Sequence, residues 1–207
     1  DLILRLDGQL GSSRYEPFAP LNDLATLQAH VAYLEQLYQQ RQVPGSFVVK
    51  PDASRFERAM QEMLISKTYL FRDAAVNKQE QAIIEHGRSL IGLGVGLTPS
   101  GDDYLVGFLA VLLLDKHCER KRGPVLARAI AAAARQRTNE ISATYLQSAA
   151  RYRFKTQIAD LVKAFLCQGQ AQVKQALLDL IAVGATSGSD IARGMIDAFD
   201  TGNFHKG

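Results

Sequence analysis

Hydrophobic and polar positions along this chain recur mostly with the period of an α-helix. Near the N-terminus, apolar residues three and four positions apart predict one amphipathic helix. Its apolar positions are Leu24, Leu27, Val31, Leu34, Leu37 and Tyr38. Only residues 2–6 and 46–49 form the short apolar runs that are typical of strands, and we expect them to pair in a small sheet.

After Pro51 the pattern is helical almost to the end of the chain. Asp52 and Asn77 precede the first two apolar repeats, and both are predicted N-caps because their side chains can accept hydrogen bonds from free backbone amides. The next helix, predicted over 102–117, is apolar on every side, which is typical of a central helix. Later helices are predicted to start near residues 123, 139, 157, 170 and 188.

These elements predict a mainly α fold, in which a helical core contains two pseudo-repeated helix–loop–helix units beside a small β-containing N-terminal part. We expect residues 1–51 to form this small N-terminal α/β part, and residues 52–207 to form a helical domain that carries both glycine-rich motifs. Because the sequence begins with Asp1 and not with methionine, we expect the N-terminal part to be incomplete.

The two helix–loop–helix units emerge when the chain is aligned with itself. In each unit an apolar helix ends in a glycine, Gly94 or Gly184, and the next helix starts with Ser-Gly-x-Asp, at 100–103 or 187–190. A further glycine follows four residues after each aspartate. The first loop has three extra residues between its glycine and its serine, so the two loops share a pattern but differ in length.

Each Ser-x-x-Asp motif has a purely structural interpretation as a capping box. In the first, the Ser100 hydroxyl would accept from the Asp103 amide, and the Asp103 carboxylate would accept from the Ser100 amide. Ser187 and Asp190 would do the same at the second helix. Capping needs one hydroxyl and one carboxylate, whereas the first loop also supplies Thr98 and Asp102 and therefore has polar groups to spare.

The spare polar groups and glycine amides predict an anion site, because amides and hydroxyls at a helix N-terminus favour negative charge. We expect the two helix N-termini to converge on one ligand. The candidate ligand-binding residues of the two loops are Gly94, Gly96, Gly101, Thr186, Ser187, Gly188 and Asp190.

Two adjacent carboxylates would repel a bare anion, which leaves two solutions open. In the first, both aspartates bind backbone amides, and the amides of Gly94 and Gly96 hold a carboxylate or a phosphate. In the second, one aspartate holds a hard cation such as Mg²⁺ that bridges to an anionic substrate. Asp102 is the expected outward residue and metal ligand, because capping already accounts for Asp103.

A third polar patch begins with Arg135 and Arg137. Thr138 or Asn139 is predicted to cap the helix that follows, with Ser142 one turn in. In the structural interpretation the arginines are simply solvated at a helix start. In the functional one they are the counter-charges for a substrate carboxylate or phosphate, and Thr138 and Ser142 also bind the substrate.

Familiar motifs do not fit the first loop. Gly96 and Gly101 have the glycine spacing of a P-loop, but Asp102 stands where that motif needs lysine. A dinucleotide loop would need a preceding strand, and the pattern before Gly92 is helical. The 4 histidines are scattered and the 2 cysteines have no zinc-like spacing, so neither histidine catalysis nor a zinc site is indicated.

Composition and charge narrow the partners. The net charge of +3 comes from 24 basic and 21 acidic residues spread along the chain, so nucleic acid is not an expected partner. The longest apolar stretch, 104–114, is too short to span a bilayer, and no signal peptide is apparent. Cysteines without a disulfide pattern are typical of a reducing compartment, so we expect a cytoplasmic protein.

Residues 94–103 (GVGLTPSGDD) and 184–190 (GATSGSD) resemble the signature of the AllH family, although Val95 replaces an expected proline. Resemblance to the family's middle motif rests on Thr138, Ile141-Ser142 and Tyr145-Leu146. The resemblance extends over about residues 80 to 200.

Membership of this family would imply a subunit of oxamate carbamoyltransferase, which exchanges a carbamoyl group between oxalurate and phosphate in allantoin breakdown. It would also imply other enzyme subunits as partners, one of them resembling a subunit of succinyl-CoA synthetase. Oxamate, phosphate and carbamoyl phosphate are small anions, in agreement with the loop chemistry. The catalytic candidates are then Thr98, Ser100, Asp102 and Asp103. The alternative is a non-catalytic assembly or regulatory subunit that binds a small anion.

Overall fold

The computed structural model describes residues 12–14, 22–41, 47–48, 51–114 and 122–201. Most of these residues are helical, which confirms the predicted mainly α fold. In chain order the elements are β1 (Ser12–Arg14), α1 (Leu24–Arg41), α2 (Arg55–Val76), α3 (Glu80–Leu90), α4 (Ser100–Leu112), α5 (Arg122–Ala131), α6 (Ala134–Arg137), α7 (Glu140–Ala149), β2 (Arg153–Lys155), α8 (Thr156–Cys167), α9 (Gln170–Ile181) and α10 (Ser187–Asp200). Within the described ranges, no helix is long and apolar enough to cross a membrane.

Helices α4 and α10 form the centre of the core, as the all-round apolar pattern of α4 predicts. Glycines allow them to cross at backbone contact. A Cβ atom at Gly107 would lie 2.0 Å from the carbonyl oxygen of Ile191, and one at Gly194 would lie 2.0 Å from the carbonyl oxygen of Tyr104. Gly107 matches Gly194 in the repeat and Tyr104 matches Ile191, so the two helices cross about an approximate twofold axis.

The loops that lead into α4 and α10 are built in the same way. The Gly101 amide donates to the carbonyl oxygen of Leu93 (2.8 Å), and the Gly188 amide donates to that of Val183 (2.9 Å). The preceding glycines, Gly94 and Gly184, both have positive φ, 122° and 67°. The predicted pseudo-repeat is therefore confirmed in backbone geometry.

Buried charged groups tie α1 to α10. Arg193 of α10 lies 2.8 Å from Glu35 of α1 and also pairs with Asp197, one turn further along α10. The Tyr104 hydroxyl donates to Asp197 (2.9 Å) and adds α4 to this network. Asp197 is buried, whereas Arg193 and Glu35 are half-buried, so the paired charges lie at the edge of the core.

The structure replaces both predicted N-caps. Helix α2 is capped by Ser54, whose hydroxyl accepts from the Glu57 amide while the Glu57 side chain accepts from the Ser54 amide. Asp52 lies before this capping box, and the box satisfies two amides where Asp52 could satisfy one. Asn77 is the C-cap of α2, and the N-cap of α3 is Gln79, which provides no side-chain hydrogen bond.

The two-stranded antiparallel sheet pairs β1 with β2, in the register Ser12 with Lys155 and Arg14 with Arg153. Neither strand was expected. Of the predicted strands, 2–6 lies outside the described residues, and in 46–49 only residues 47–48 are described, which form a bend. A three-residue strand such as β2 is too short to show an alternating pattern, and this explains why the sequence did not reveal it. The boundary after Pro51 stays a prediction.

Candidate functional site

The first glycine-rich loop, residues 92–99, wraps against the junction of α6 and α7. Gly92 and Gly96 have φ of 78° and 108°, a region that other residues rarely adopt. A Cβ atom at Gly92 would lie only 2.1 Å from the carbonyl oxygen of Arg137. This close approach requires glycine and brings the loop to the residues of the middle polar patch.

Asp102 holds the loop in this place. It is 1% exposed, and its two carboxylate oxygens accept from the Gly92 amide (2.8 Å) and from the Thr138 hydroxyl (2.5 Å). Burial raises the pKa of Asp102, and the donors Thr138, Gly92 and the nearby Ser142 act in the opposite direction. The structure thus places Asp102 inside the loop, and the expectation that it faces outward is wrong.

Ser100 and Ser187 do not occupy the N-cap positions that the expected capping boxes require. Pro99 and Thr186 occupy the N-cap positions of α4 and α10, and neither provides a side-chain hydrogen bond. Each serine is therefore the first helical residue, one position too late to cap. The Asp103 amide donates to the Pro99 carbonyl oxygen (3.1 Å), and the Asp103 carboxylate accepts from Thr98 of the loop.

Asp103 forms a cluster with hydroxyls from both loops. Its Oδ2 accepts from Thr98 Oγ1 (2.8 Å), and the same Thr98 Oγ1 lies 2.8 Å from Ser187 Oγ. This contact joins the two repeat units, so the N-termini of α4 and α10 converge as the repeat predicts. Burial raises the pKa of Asp103 to about 6, although the hydroxyls of Thr98 and Ser187 and the charge of Lys155 lower it.

Lys155 and Tyr145 complete this group of five, which we call the Asp103 cluster: Thr98, Asp103, Tyr145, Lys155 and Ser187. The Lys155 ammonium lies 4.8 Å from the centre of the Tyr145 ring, a cation–π contact. Burial raises the pKa of the Tyr145 phenol, and the charge of Asp103 adds to this rise. The cation of the cluster is therefore a lysine at the end of β2.

The structure does not bring the predicted arginines into this cluster. Arg137 donates from Nη1 to the Arg88 carbonyl oxygen (3.5 Å) at the end of α3, and Arg135 is exposed on α6. Neither arginine is among the groups that shift the pKa of Asp103. The sequence does not predict Lys155, because this residue belongs to no motif. Tyr145 belongs to the middle motif of the family, and this could have identified it as a site residue.

Two kinds of glycine amide differ in their capacity to bind an anion. The amides of Gly101 and Gly188 donate to backbone carbonyls inside the loops, so these amides are not free to bind an anion, and the place of the two glycines in a binding site stays a prediction. The amides of Gly94 and Gly96 donate no hydrogen bond within the described residues. These two amides remain candidates for substrate binding, beside Thr98.

The predicted Mg²⁺ ligation by Asp102 does not fit its surroundings. Both of its carboxylate oxygens already accept from donors that are fixed in the fold, and a cation would have to displace these donors. Among the residues that the structure describes, no three His, Cys, Asp or Glu side chains are close enough together to hold a metal ion.

The remaining candidates lie around the cluster. Asn139, not Thr138, caps α7, where its Oδ1 accepts from the Ser142 amide (3.0 Å). The Ser142 side chain is 1% exposed beside Asp102. Asp190, which matches Asp103 in the repeat, is buried in the first turn of α10. Asn139 and Ser142 lie beside the first loop, and Ser187 of α10 contacts Thr98 of that loop.

Comparison with known protein families gives one finding. The model of the family described as oxamate carbamoyltransferase subunit AllH matches residues 90–199. This range contains both loops, the middle polar patch and the whole Asp103 cluster. No solved structure matches this chain.

Proposed function

Because this chain belongs to the AllH family, we propose that it is a subunit of an enzyme that transfers a carbamoyl or related acyl group between small anions. The proposed reaction converts oxalurate and phosphate into oxamate and carbamoyl phosphate. The observation that carries the proposal is the 2.8 Å contact between Thr98 and Ser187, because it joins two helix N-termini beside one buried carboxyl group. A subunit resembling that of succinyl-CoA synthetase is a proposed partner.

The surroundings of Thr98 suit a small anion. The amides of Gly94 and Gly96 are hydrogen-bond donors near two helix N-termini. The Thr98 hydroxyl donates to the Asp103 carboxylate, and it becomes available to an anion, together with that of Ser187, when Asp103 is protonated. Lys155 supplies a full positive charge. Together these groups would offset the negative charge of a carboxylate or a phosphate more strongly than either helix terminus alone.

Asp103 is the proposed acid–base group. A carboxyl group whose pKa is about 6 exchanges protons readily near neutral pH. In the transfer, a phosphate oxygen forms a bond to the carbamoyl carbon, and the bond from this carbon to the oxamate nitrogen breaks. Protonated Asp103 would donate its proton to that nitrogen, and hydroxyl and amide donors would stabilise the negative charge on the carbonyl oxygen.

A second candidate function is that of a non-catalytic assembly or regulatory subunit. One observation favours it: the Asp103 carboxylate already accepts from Thr98, so the cluster is closed on itself. In that case the loops bind an anion or support the fold, and the partner subunits carry out the reaction.

Reconstitution with the partner subunits tests the catalytic role. The assay measures carbamoyl phosphate formed from oxalurate and phosphate by the wild type, Asp103→Asn and Thr98→Val. We expect Asp103→Asn to lower the rate by about a hundredfold or more, the usual range for loss of an acid–base group. Asp160→Asn, at an exposed position of α8, is the matched control. Full activity of folded Asp103→Asn in the complex would overturn the acid–base role of Asp103, and full activity of both variants would favour the non-catalytic alternative.

A further inference from the structure

We propose that a cavity between α1, α2 and α10 is a second binding site, which takes a small organic acid with an aromatic body. The volume of this cavity is about 580 Å³, which is typical of pockets that hold one small molecule. None of the residues that line it belongs to the Asp103 cluster. The cavity therefore takes no part in the proposed transfer, and the two sites can be tested separately.

The place of the cavity along α10 separates it from the reaction site. Ser187, in the first turn of α10, belongs to the Asp103 cluster, whereas Arg193 and Asp197 line the cavity. At a rise of about 1.5 Å per residue, Arg193 and Asp197 lie roughly 9 and 15 Å further along the helix axis than Ser187. The two sites thus use different parts of the same helix.

The apolar part of the cavity wall contains three aromatic rings. Tyr38 of α1, Tyr69 of α2 and Phe47 contribute these rings, and Ile65 of α2 lies beside them. Tyr69 is 68% exposed and Ile65 is 44% exposed, so both have apolar surface that a ligand would remove from water. Aromatic rings prefer other rings in stacked or edge-to-face arrangements, which favours an aromatic body for the ligand.

The carboxylates of the cavity wall already have partners. Glu35 accepts from Arg193 through both of its oxygens (2.8 and 3.1 Å). Asp197 accepts from the Tyr104 hydroxyl (2.9 Å) and from Arg193, and it lies 3.4 Å from Arg72. A cationic ligand would have to displace these donors, so the carboxylates do not favour one.

The arginines of the cavity wall, in contrast, have donors to spare. A guanidinium group has five N–H donors, but within the described residues Arg72 donates one hydrogen bond, from Nη2 to Asp200 (3.2 Å), beside its ion pair with Asp197. The Nε of Arg193 has no hydrogen-bond partner in the same part of the chain. Donors in excess of acceptors favour an anionic ligand, and a carboxylate can accept from two N–H groups of one arginine.

The contact between Arg72 and Asp200 would yield to such a ligand. The two side chains are 38% and 56% exposed, and an exposed ion pair contributes little to stability because water competes for both partners. The carboxylate of the ligand would replace that of Asp200 on Arg72, and its aromatic body would lie against Tyr69.

NMR titration of the whole isotope-labelled chain with three probes tests the class of ligand. Naphthoate has an aromatic body and a carboxylate, naphthamide has the body without the charge, and acetate has the charge without the body. We expect naphthoate to bind about tenfold more tightly than either of the others, or more, because only naphthoate can both fill the cavity and pair with Arg72. Chemical-shift changes give the three dissociation constants.

Substitutions locate the site. Arg72→Met should weaken naphthoate binding by about tenfold and leave naphthamide binding unchanged, whereas Tyr69→Ala should weaken both severalfold. Arg135→Met, at an exposed position of α6, is the matched control for Arg72→Met and should change neither. Lys155→Met should also leave naphthoate binding unchanged, because Lys155 belongs to the Asp103 cluster. Circular dichroism and thermal unfolding verify that each variant is folded.

The outcomes separate the cavity from the reaction site. The absence of a saturable shift with naphthoate would overturn the proposal, and so would naphthamide or acetate binding as tightly as naphthoate. If Lys155→Met, and not Arg72→Met, weakens naphthoate binding, the acid binds at the Asp103 cluster and the cavity is not the site. A reconstituted complex without carbamoyl transfer would count against the proposed function alone, since naphthoate binding in the cavity does not depend on it.

Discussion

The two glycine-rich loops have nearly the same backbone but different chemistry. Gly101 and Gly188 make equivalent backbone hydrogen bonds, and α4 and α10 cross through equivalent glycines. Only the first loop has the three extra residues, and it is this longer loop that carries Thr98 across to Ser187. The repeat thus provides two adjacent helix N-termini, and the longer loop of one copy provides Thr98, which links them.

The difference between Asp102 and Ser189, which occupy matching positions, shows what the longer loop requires. Asp102 accepts from Gly92 and Thr138 and so connects the loop to the N-terminus of α7. Ser189 donates a single hydrogen bond to Tyr38 (3.3 Å) of α1. A carboxylate with two acceptor oxygens can brace a long glycine-rich segment, whereas the shorter loop is held by its own backbone.

The largest expected effect concerns the close crossing of α4 and α10, the two helices that follow the loops. Gly107→Ala and Gly194→Ala each place a Cβ atom about 2 Å from a backbone carbonyl oxygen of the facing helix. Each should lower the free energy of unfolding by about 3 kcal/mol or more, and the two losses should be similar if the twofold relation holds. Urea unfolding measures both. Gly169→Ala, which meets nothing closer than 3.6 Å, should change stability little. A large loss at only one crossing glycine would contradict the symmetric crossing.

The next effect separates the two loops at their matching positions. Asp102→Ala leaves the buried donors of Gly92 and Thr138 without their acceptor, which should cost about 2–3 kcal/mol of unfolding free energy. Ser189→Ala removes one long hydrogen bond and should cost about 0.5–1 kcal/mol. The comparison uses chemical unfolding at one pH. Equal losses would show that Asp102 does not brace the longer loop.

The third test asks whether Asp103 lowers stability at neutral pH. Its pKa rises from 3.8 to about 6 on folding, so its contribution to stability is fully present below about pH 4 and is lost as the pH rises through 6. Asp103→Asn removes the buried charge and keeps an acceptor for Thr98. It should raise the unfolding free energy by about 1–2 kcal/mol at pH 8, relative to wild type, and by almost nothing at pH 4. A gain that does not depend on pH would contradict the raised pKa.

The smallest effect distinguishes Lys155, which the structure places beside Asp103, from Arg137, which the sequence predicted as the counter-charge. Lys155→Met should raise KM for the anionic substrate by about threefold to tenfold, equivalent to roughly 1 kcal/mol. It should also move the pH profile of activity to higher pH, because Lys155 lowers the pKa of Asp103. Arg137→Met should leave the pH profile unchanged. The reverse result would return the predicted role to Arg137.

Periodicity and self-comparison predicted most of the fold. The apolar spacing predicted helix α1, and the apolar residues on every side of α4 predicted that this helix is buried. The convergence of the two loops followed from their shared pattern, since equivalent units tend to pack about an axis. The first residues of the helices were harder to predict, because several neighbouring polar residues can act as the N-cap. At α2 the N-cap is Ser54, in a capping box with Glu57, and not Asp52.

The details of the site depended on tertiary contacts that the sequence does not encode locally. The capping interpretation predicted that Asp103 binds backbone amides and that Asp102 faces outward. In the structure Ser100 lies inside α4 and does not cap it; Asp102 accepts from the Gly92 amide, and Asp103 accepts from the Thr98 hydroxyl. Lys155 reaches the cluster through β2, whose partner strand lies near the other end of the chain. Pairing at such separation leaves no trace in a local pattern, so the sequence indicates the nearby arginines instead of Lys155.

The pairing of β1 with β2 also has a consequence for the order in which the chain folds. β1 leaves the ribosome before α1, but its partner follows only after α1 to α7 have been synthesised. Contacts between distant parts of a chain form late, because closing a long loop costs entropy that only an already compact chain can reduce. The lysine beside Asp103 should therefore reach its position near the end of folding, after the two helix N-termini have met.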